Sequence, residues 1–178
     1  MLQQDRRGKW TERFTILYLK VHLLLHLRIS GITYYGTRTK CPRPKFHPFE
    51  RGLLGHSDAD VLVHAVCDAI LGAAGMGDIG RHFPDTDSTY KDMISLKMLA
   101  RVCDMIRSQG FVIENIDSTI FAETPKIAPY KEEMKKNISH AVEIDTKRIN
   151  IKATTTEGLG MFGKGEGIGA MAVALIKT

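Results

Sequence analysis

Apolar positions return every second residue near the start of the chain and every third or fourth residue further on. Val21, Leu23, Leu25, Leu27 and Ile29 alternate with His22, His26 and Arg28, and a period of two predicts a strand. The run 14–29 that holds them also carries Lys20. It is too short and too polar for a membrane span, which needs about 20 apolar residues, and no small-residue cleavage site closes it as a signal peptide would. The prolines of Cys41-Pro42-Arg43-Pro44-Lys45 and His47-Pro48 predict a stiff, extended connector.

Beyond the connector the helical period takes over. Ser57 reads as the N-cap of a helix running to about Ala74, with Asp58 and Asp60 in a first turn where the helix dipole favours acids. A Gly-, Asp- and Pro-rich loop, 75–89, leads to a second helix over about 91–109. Its stripe is Ile94, Met98, Val102 and Met105 or Ile106, and Gly110 is its stop. A strand is predicted over 111–123 and a third helix over about 130–142. Two strands, 149–156 and 168–177, close the chain and read as apolar on both faces. No internal repeat or low-complexity tract occurs. The order predicts an α+β fold: a two-layer sandwich with a mixed sheet and helices on one face.

Composition separates the chain into two parts, 1–47 and 48–178. The formal net charge of +5 is the balance of +8 over residues 1–51 and −3 over residues 52–178. The basic character therefore belongs to the N-terminal segment. It reads as a solvated tail, with a nucleic-acid contact as the alternative. Cys41, Cys67 and Cys103 are odd in number and show no CxxC spacing, which predicts reduced thiols and a cytoplasmic setting.

Candidate chemistry lies in three places. Asp60, His64 and Asp68 recur every four residues on one face of an otherwise apolar helix. Two acids and a histidine are costly to bury unless paired or metal-bound. His64 is either a metal ligand oriented by the acids or a histidine that hydrogen-bonds across the core. His56 and Ser57, at the start of that helix, suit an anion, although plain capping by Ser57 explains them as well. The loop from Gly77 to Asp87 gathers acids and glycines that suit hydroxyls or a cation, and turns collect the same residues. Finally, Thr154, Thr155, Thr156 and Glu157 precede a glycine-rich loop carrying Lys164, a combination suited to a diphosphate and its cation; a flexible hairpin would use the same glycines. Gly158-Leu159-Gly160-Met161-Phe162-Gly163 fits GxGxxG, but with a closing strand after it there is no room for a dinucleotide-binding βαβ unit. No P-loop sequence occurs.

The ordered set of motifs is highly specific. Gly52-Leu-Leu-Gly-His-Ser-Asp-Ala-Asp-Val, His64-Ala with Asp68-Ala, Gly77-Asp-Ile-Gly, Phe83-Pro-Asp-Thr-Asp, Thr124-Pro-Lys, Lys152-Ala-Thr-Thr-Thr-Glu and Gly165-Glu-Gly-Ile resemble the 2-C-methyl-D-erythritol 2,4-cyclodiphosphate synthase family of the non-mevalonate isoprenoid pathway. The resemblance implies a homotrimer with active sites between subunits. It implies a metal-dependent phosphorus–oxygen lyase that converts 4-diphosphocytidyl-2-C-methyl-D-erythritol 2-phosphate to the cyclic diphosphate and CMP. The expected ligands are this cytidine diphosphate substrate, zinc, and magnesium or manganese.

By position, the resemblance makes His64 a zinc ligand and Glu157 the ligand of the second divalent ion. His56 and Thr155 become transition-state stabilisers, and Ser57 a phosphate contact. Asp78, Ile79 and Gly80 fall on sugar-binding positions, while Phe83, Pro84, Asp85, Thr86 and Asp87 line the erythritol pocket. Ala122, Glu123, Thr124, Pro125, Lys126, Ile127 and Ala128 match the cytidine pocket, and Thr154 and Thr156 count with Thr155 among the substrate-binding positions. Met161 and Lys164 stand where the family has an aromatic and an arginine. The main departure is upstream. The family's opening strand carries Asp-x-His, which completes the zinc site, and no Asp-x-His precedes His64 here. Counting back without a gap lands on Ser30 and Ile32; aligning Arg28-Ile29 with the opening strand lands on Tyr34 and Gly36. An altered reading frame or gene start before Pro48 would account for both the missing ligands and the change in charge. Rival expectations are a catalytically impaired member that trimerises and binds ligand, and a nucleic-acid-binding protein working through the basic segment.

Overall fold

A computed structural model of the chain describes residues 3–4, 10–11, 15–24, 60–84, 86–90 and 93–178. Strands β1 (Gln3–Gln4) and β2 (Trp10–Thr11) form a small antiparallel pair. Then come β3 (Thr15–Leu24), α1 (Val61–Ala73), the one-turn α2 (Ile79–His82), α3 (Ser95–Ser108), β4 (Val112–Phe121), α4 (Lys131–Val142), β5 (Ile149–Thr154), the one-turn α5 (Gly160–Gly163) and β6 (Ile168–Lys177). The architecture is mixed α and β. The four-stranded sheet has the order β3-β6-β4-β5. β6 runs antiparallel to both its neighbours, and β4 runs parallel to β5.

Helix α1 starts later than the sequence suggests. Its cap is Asp60, whose carboxylate accepts the Val63 N–H at 3.0 Å. Ser57 lies outside the described residues and three positions before that cap. Asp and Ser are equally good caps, so the choice is made by the apolar run, which begins at Val61. At the other end Gly75 takes φ +70°. Its N–H bonds the Gly72 carbonyl, and the Met76 N–H reaches the Leu71 carbonyl. Helix α3 ends in the same way at Gly110, φ +83°, with bonds to Arg107 and Ile106. Both are Schellman stops, in which glycine relieves the left-handed position. The start of α3 is also later than expected, because Ile94 is extended and only Ser95 begins the helix.

Every residue of α1 but Gly72 is buried, because the helix packs against β3, β4, β6 and α3. On β6 the facing residues are Ala170, Ala172, Ala174 and Ile176, all fully buried. Three alanines in alternate positions let the helix come close to the strand. Ile113, Ile116 and Ile120 of β4, Ile149 and Ile151 of β5 and Leu99, Val102 and Ile106 of α3 complete the core. Each fully buried side chain of this size contributes about 1.5–3 kcal/mol.

The opposite face of the sheet corrects one expectation. Met171, Val173 and Leu175 make β6 apolar on its second face, half-buried in the single chain. The second face of β5 is polar: Asn150, Lys152 and Thr154 are exposed. Asp117 of β4 accepts from Asn150 Nδ2 at 2.9 Å and from Lys152 Nζ at 2.6 Å. Polar partners along an edge strand also guard it against unwanted pairing.

Cys67 and Cys103 are free thiols in the core. Burial pushes both up, Cys67 well above the ordinary thiol range and Cys103 to about 12. At pH 8 neither carries appreciable thiolate, the form that reacts. Iodoacetamide applied to the native protein is therefore expected to leave both unmodified, and unfolding is expected to expose them; peptide mass mapping checks this.

Candidate functional site

The parallel pairing of β4 and β5 carries both strands out of the sheet at the same end. Phe121 and Thr154 are register partners, and the Ala122 N–H donates to the Thr154 carbonyl at 3.1 Å. The segment 122–128 and the turn 154–157 thus begin side by side. Thr124–Pro125 is a cis peptide bond. Ile127 is buried and anchors the segment, while Thr124, Lys126 and Ala128 are exposed. One Glu123 carboxylate oxygen, Oε2, is buried without a hydrogen-bond partner.

The turn after β5 is tightly cross-braced. Thr154 Oγ1 donates to the Thr155 carbonyl at 3.1 Å, Thr155 Oγ1 to Glu157 Oε1 at 2.7 Å, and Thr156 Oγ1 to the Leu159 carbonyl at 2.6 Å. Glu157 takes φ +52°, a left-handed conformation costly for a side-chain-bearing residue. The glycine loop then folds back on itself. A Cβ at Gly163 would sit 2.1 Å from the Gly158 carbonyl carbon, so only glycine fits there. Phe162 stacks on Phe121 at 5.9 Å and fixes the loop to the end of the sheet. Gly165 comes close to Thr124, whose Oγ1 would lie 3.9 Å from a Cβ at that glycine. Lys164 is exposed and Met161 half-buried. The GxGxxG stretch contains the single turn α5, unforeseen from sequence, and β6 follows it. No long helix opens there, so the dinucleotide reading stays rejected.

A second group runs along the face of α1 that bears His64 and Asp68 and continues into α2. His64 is 8% exposed and Asp68 1%. Asp68 Oδ1 accepts the Ile79 N–H at 2.8 Å. Asp78 caps α2 by accepting the Arg81 N–H at 3.1 Å, and His82 Nε2 donates to the Met76 carbonyl at 2.8 Å. Asp78, Gly80 and Thr86 are exposed. Phe83 and Pro84 are half-buried, and Phe83 meets Tyr90 edge-on at 5.4 Å. The Asp87 carboxylate accepts the Thr89 N–H at 2.8 Å, a bond that holds it below the usual carboxylate range. His56, Ser57 and Asp85 lie outside the described residues. Sequence reasoning marked Asp68 as a buried acid on the His64 face but missed the hydrogen bond that ties it to Ile79.

Among the described residues no three His, Cys, Asp or Glu side chains converge on a possible metal position. Of the expected zinc ligands only His64 is present there. Asp60 and Asp68 are on its own helix, whose one face reaches one side of an ion. The described donor set does not fit a three-ligand zinc site. Glu157 differs: an exposed carboxylate oriented by a hydroxyl is an oxygen donor set that suits a hard divalent cation.

The pattern of the YgbB family matches residues 46–177. The 2-C-methyl-D-erythritol 2,4-cyclodiphosphate synthase of Pelotomaculum thermopropionicum is 60% identical over 129 residues, covering 72% of this chain and 80% of that protein. Among solved structures, the bifunctional IspDF of Campylobacter jejuni superposes with a TM-score of 0.76 at 39% identity, covering 94% of this chain and 43% of that one. The CDP complex of Plasmodium falciparum IspF gives a TM-score of 0.64 at 28% identity, covering 93% of this chain and 96% of that one.

Proposed function

Since the chain belongs to the YgbB family, we propose that it cyclises 4-diphosphocytidyl-2-C-methyl-D-erythritol 2-phosphate. An oxygen of the substrate's 2-phosphate attacks its β-phosphorus. The bond from that phosphorus to the bridging oxygen of the α-phosphate breaks, and CMP leaves with the oxygen. The protein supplies no nucleophile, so catalysis rests on positioning and charge neutralisation. The carrying observation is the side-by-side exit of β4 and β5, which sets the segment 122–128 beside Thr154–Glu157. In this reading residues 122–128 take the cytidine. Ser57, Thr154, Thr155, Thr156 and Lys164 take the phosphates, with His56 and Thr155 acting in the transition state. Asp78 to Asp87 take the erythritol. Glu157 would hold magnesium or manganese, which when bound neutralises diphosphate charge. Incubation with the substrate and 31P NMR tests the reaction, with equal amounts of cyclic diphosphate and CMP as the expected result.

A two-layer homotrimer in the cytoplasm is part of the same proposal. Among the described residues no helix is long and apolar enough to cross a membrane. Met171, Val173 and Leu175 offer an apolar strip on the second face of the sheet, and a site shared between subunits would bring donors to the unpartnered Glu123 oxygen. Light scattering is expected to give three times the chain mass of 19.9 kDa. Val173→Asp, opposite Asp117 in the register, is expected to give monomers; a monomeric unmodified chain would rule out the assembly.

One observation favours a second reading, a family member that assembles and binds ligand but turns over poorly: the absence of Asp-x-His before His64. Zinc content separates the two.

A further inference from the structure

We propose that Asp68 is a positioning residue for the reaction. Its buried carboxylate holds the Ile79 amide and so fixes the Asp78–Gly80 segment where the polyol part of the substrate binds. The inference rests on the functional reading above.

Asp68 is 1% exposed on a helix whose buried residues are otherwise apolar except for His64. A buried carboxylate is expensive unless it accepts hydrogen bonds, and packing alone would be served better by leucine. Among what the acid gains is the Ile79 N–H at 2.8 Å. Ile79 opens α2, a helix of four residues with too few internal bonds to hold itself together. Among the described residues, three side-chain hydrogen bonds help to keep it in place. Asp78 accepts from Arg81 within the segment, His82 reaches back to the Met76 carbonyl, and Asp68 alone of the three ties it to the body of the core helix. Without that bond the Ile79 amide would be left unpaired at a partly buried position, and the exposed Asp78 and Gly80 would lose their fixed relation to α1.

The cytidine segment follows a different strand, so the two halves of the substrate should respond differently. Asp68→Leu keeps the shape and removes the acceptor. Asp68→Asn keeps the shape and an acceptor oxygen. Ile79→Pro removes the donor instead. Proline is tolerated at a first helical position, and Asp78 before it is already extended, with φ −135° and ψ 175°. Titration calorimetry with 2-C-methyl-D-erythritol 2,4-cyclodiphosphate and with CMP reads the two halves without requiring turnover. Amide hydrogen exchange at Ile79 reads the clamp itself.

Asp68→Leu is expected to speed Ile79 exchange and to weaken binding of the cyclic diphosphate about tenfold or more, the scale of a lost bond to a charged acceptor. CMP affinity should stay within about twofold, as for an independent site. Ile79→Pro should reproduce the split, and Asp68→Asn should restore most of the binding. Ile79→Pro carries the same test should Asp68→Leu not fold. Unchanged exchange, unchanged cyclic diphosphate affinity, or equal losses for both ligands would overturn the positioning role. An unmodified chain that bound neither ligand would instead overturn the functional reading on which it rests.

Discussion

Replacing Thr155 with alanine, in a chain whose zinc site is complete, is expected to lower turnover about 100- to 1000-fold, the usual cost of one preorganised donor to a transition state. CMP affinity should fall far less. The expectation follows from the brace around the turn. Thr155 Oγ1 lies 2.7 Å from Glu157 Oε1, and Glu157 is held in a left-handed conformation that costs about 1–2 kcal/mol for a residue other than glycine. Such strain persists only where the surroundings enforce it. Here the enforcing contacts are the three threonine hydroxyls, each committed to a neighbour in the turn. The brace keeps hydroxyl and carboxylate together before any substrate arrives, and the hydroxyl's one proton, given to Glu157 here, would turn to a phosphoryl oxygen once that carboxylate held a cation. A group arranged this way matters most when charge develops on the transferring phosphorus, and little for a product that lacks it. Thr155→Ser retains the hydroxyl and should recover most of the rate. Equal losses of turnover and CMP affinity in Thr155→Ala would show that the residue serves ground-state binding or the fold of the turn.

Much of this arrangement was legible in the sequence, for identifiable reasons. Gly75 and Gly110 each follow a helical stripe, and each takes the left-handed stop that glycine makes cheap. The limits of β6, 168–177, coincide with the predicted ones because Gly167 precedes the strand and the apolar run continues to Ile176. The start of α1 was misplaced because Ser57 and Asp60 are both competent caps, and only packing from Val61 onward decides between them. The one-turn helices α2 and α5 span four residues each, too few for a period to show. Ile149-Asn150-Ile151-Lys152 alternates and did announce the polar second face of β5; reading the strand as apolar throughout gave too much weight to the isoleucines. The bond from Asp68 to Ile79 joins residues 11 apart across a glycine turn, and nothing in local spacing reveals it. The ordered motifs, by contrast, carried the family because their identities and their order along the chain are together far more specific than any local folding signal.

The other large effect concerns the opening strand. A catalytic zinc takes three protein ligands and keeps one position open, and among the described residues this chain offers His64 alone. The chain as it stands is expected to retain much less than one zinc per subunit after dialysis and to turn over poorly. Grafting a strand that carries Asp-x-His in place of residues 1–47 is expected to raise zinc content to about one per subunit and to raise activity with it. The sheet already has the place for such a strand. β3 pairs with β6 from Thr15 opposite Ile176 to Leu24 opposite Ile168, and β6 also packs against the helix that bears His64. The graft therefore changes which side chains the strand presents while keeping the pairing that holds it. Zinc by elemental analysis and unfolding temperature with and without chelator read the site independently of turnover, since a ligand bound only by the folded state stabilises it. The graft should show a chelator-dependent drop in unfolding temperature, and the unmodified chain should not. If the unmodified chain keeps one tightly held zinc and full activity, the first segment supplies its own ligands. His22, at the register position of Ala170, and His26 and His47 are then the first residues to replace with alanine, and the one whose loss releases the metal would stand where the family has Asp-x-His.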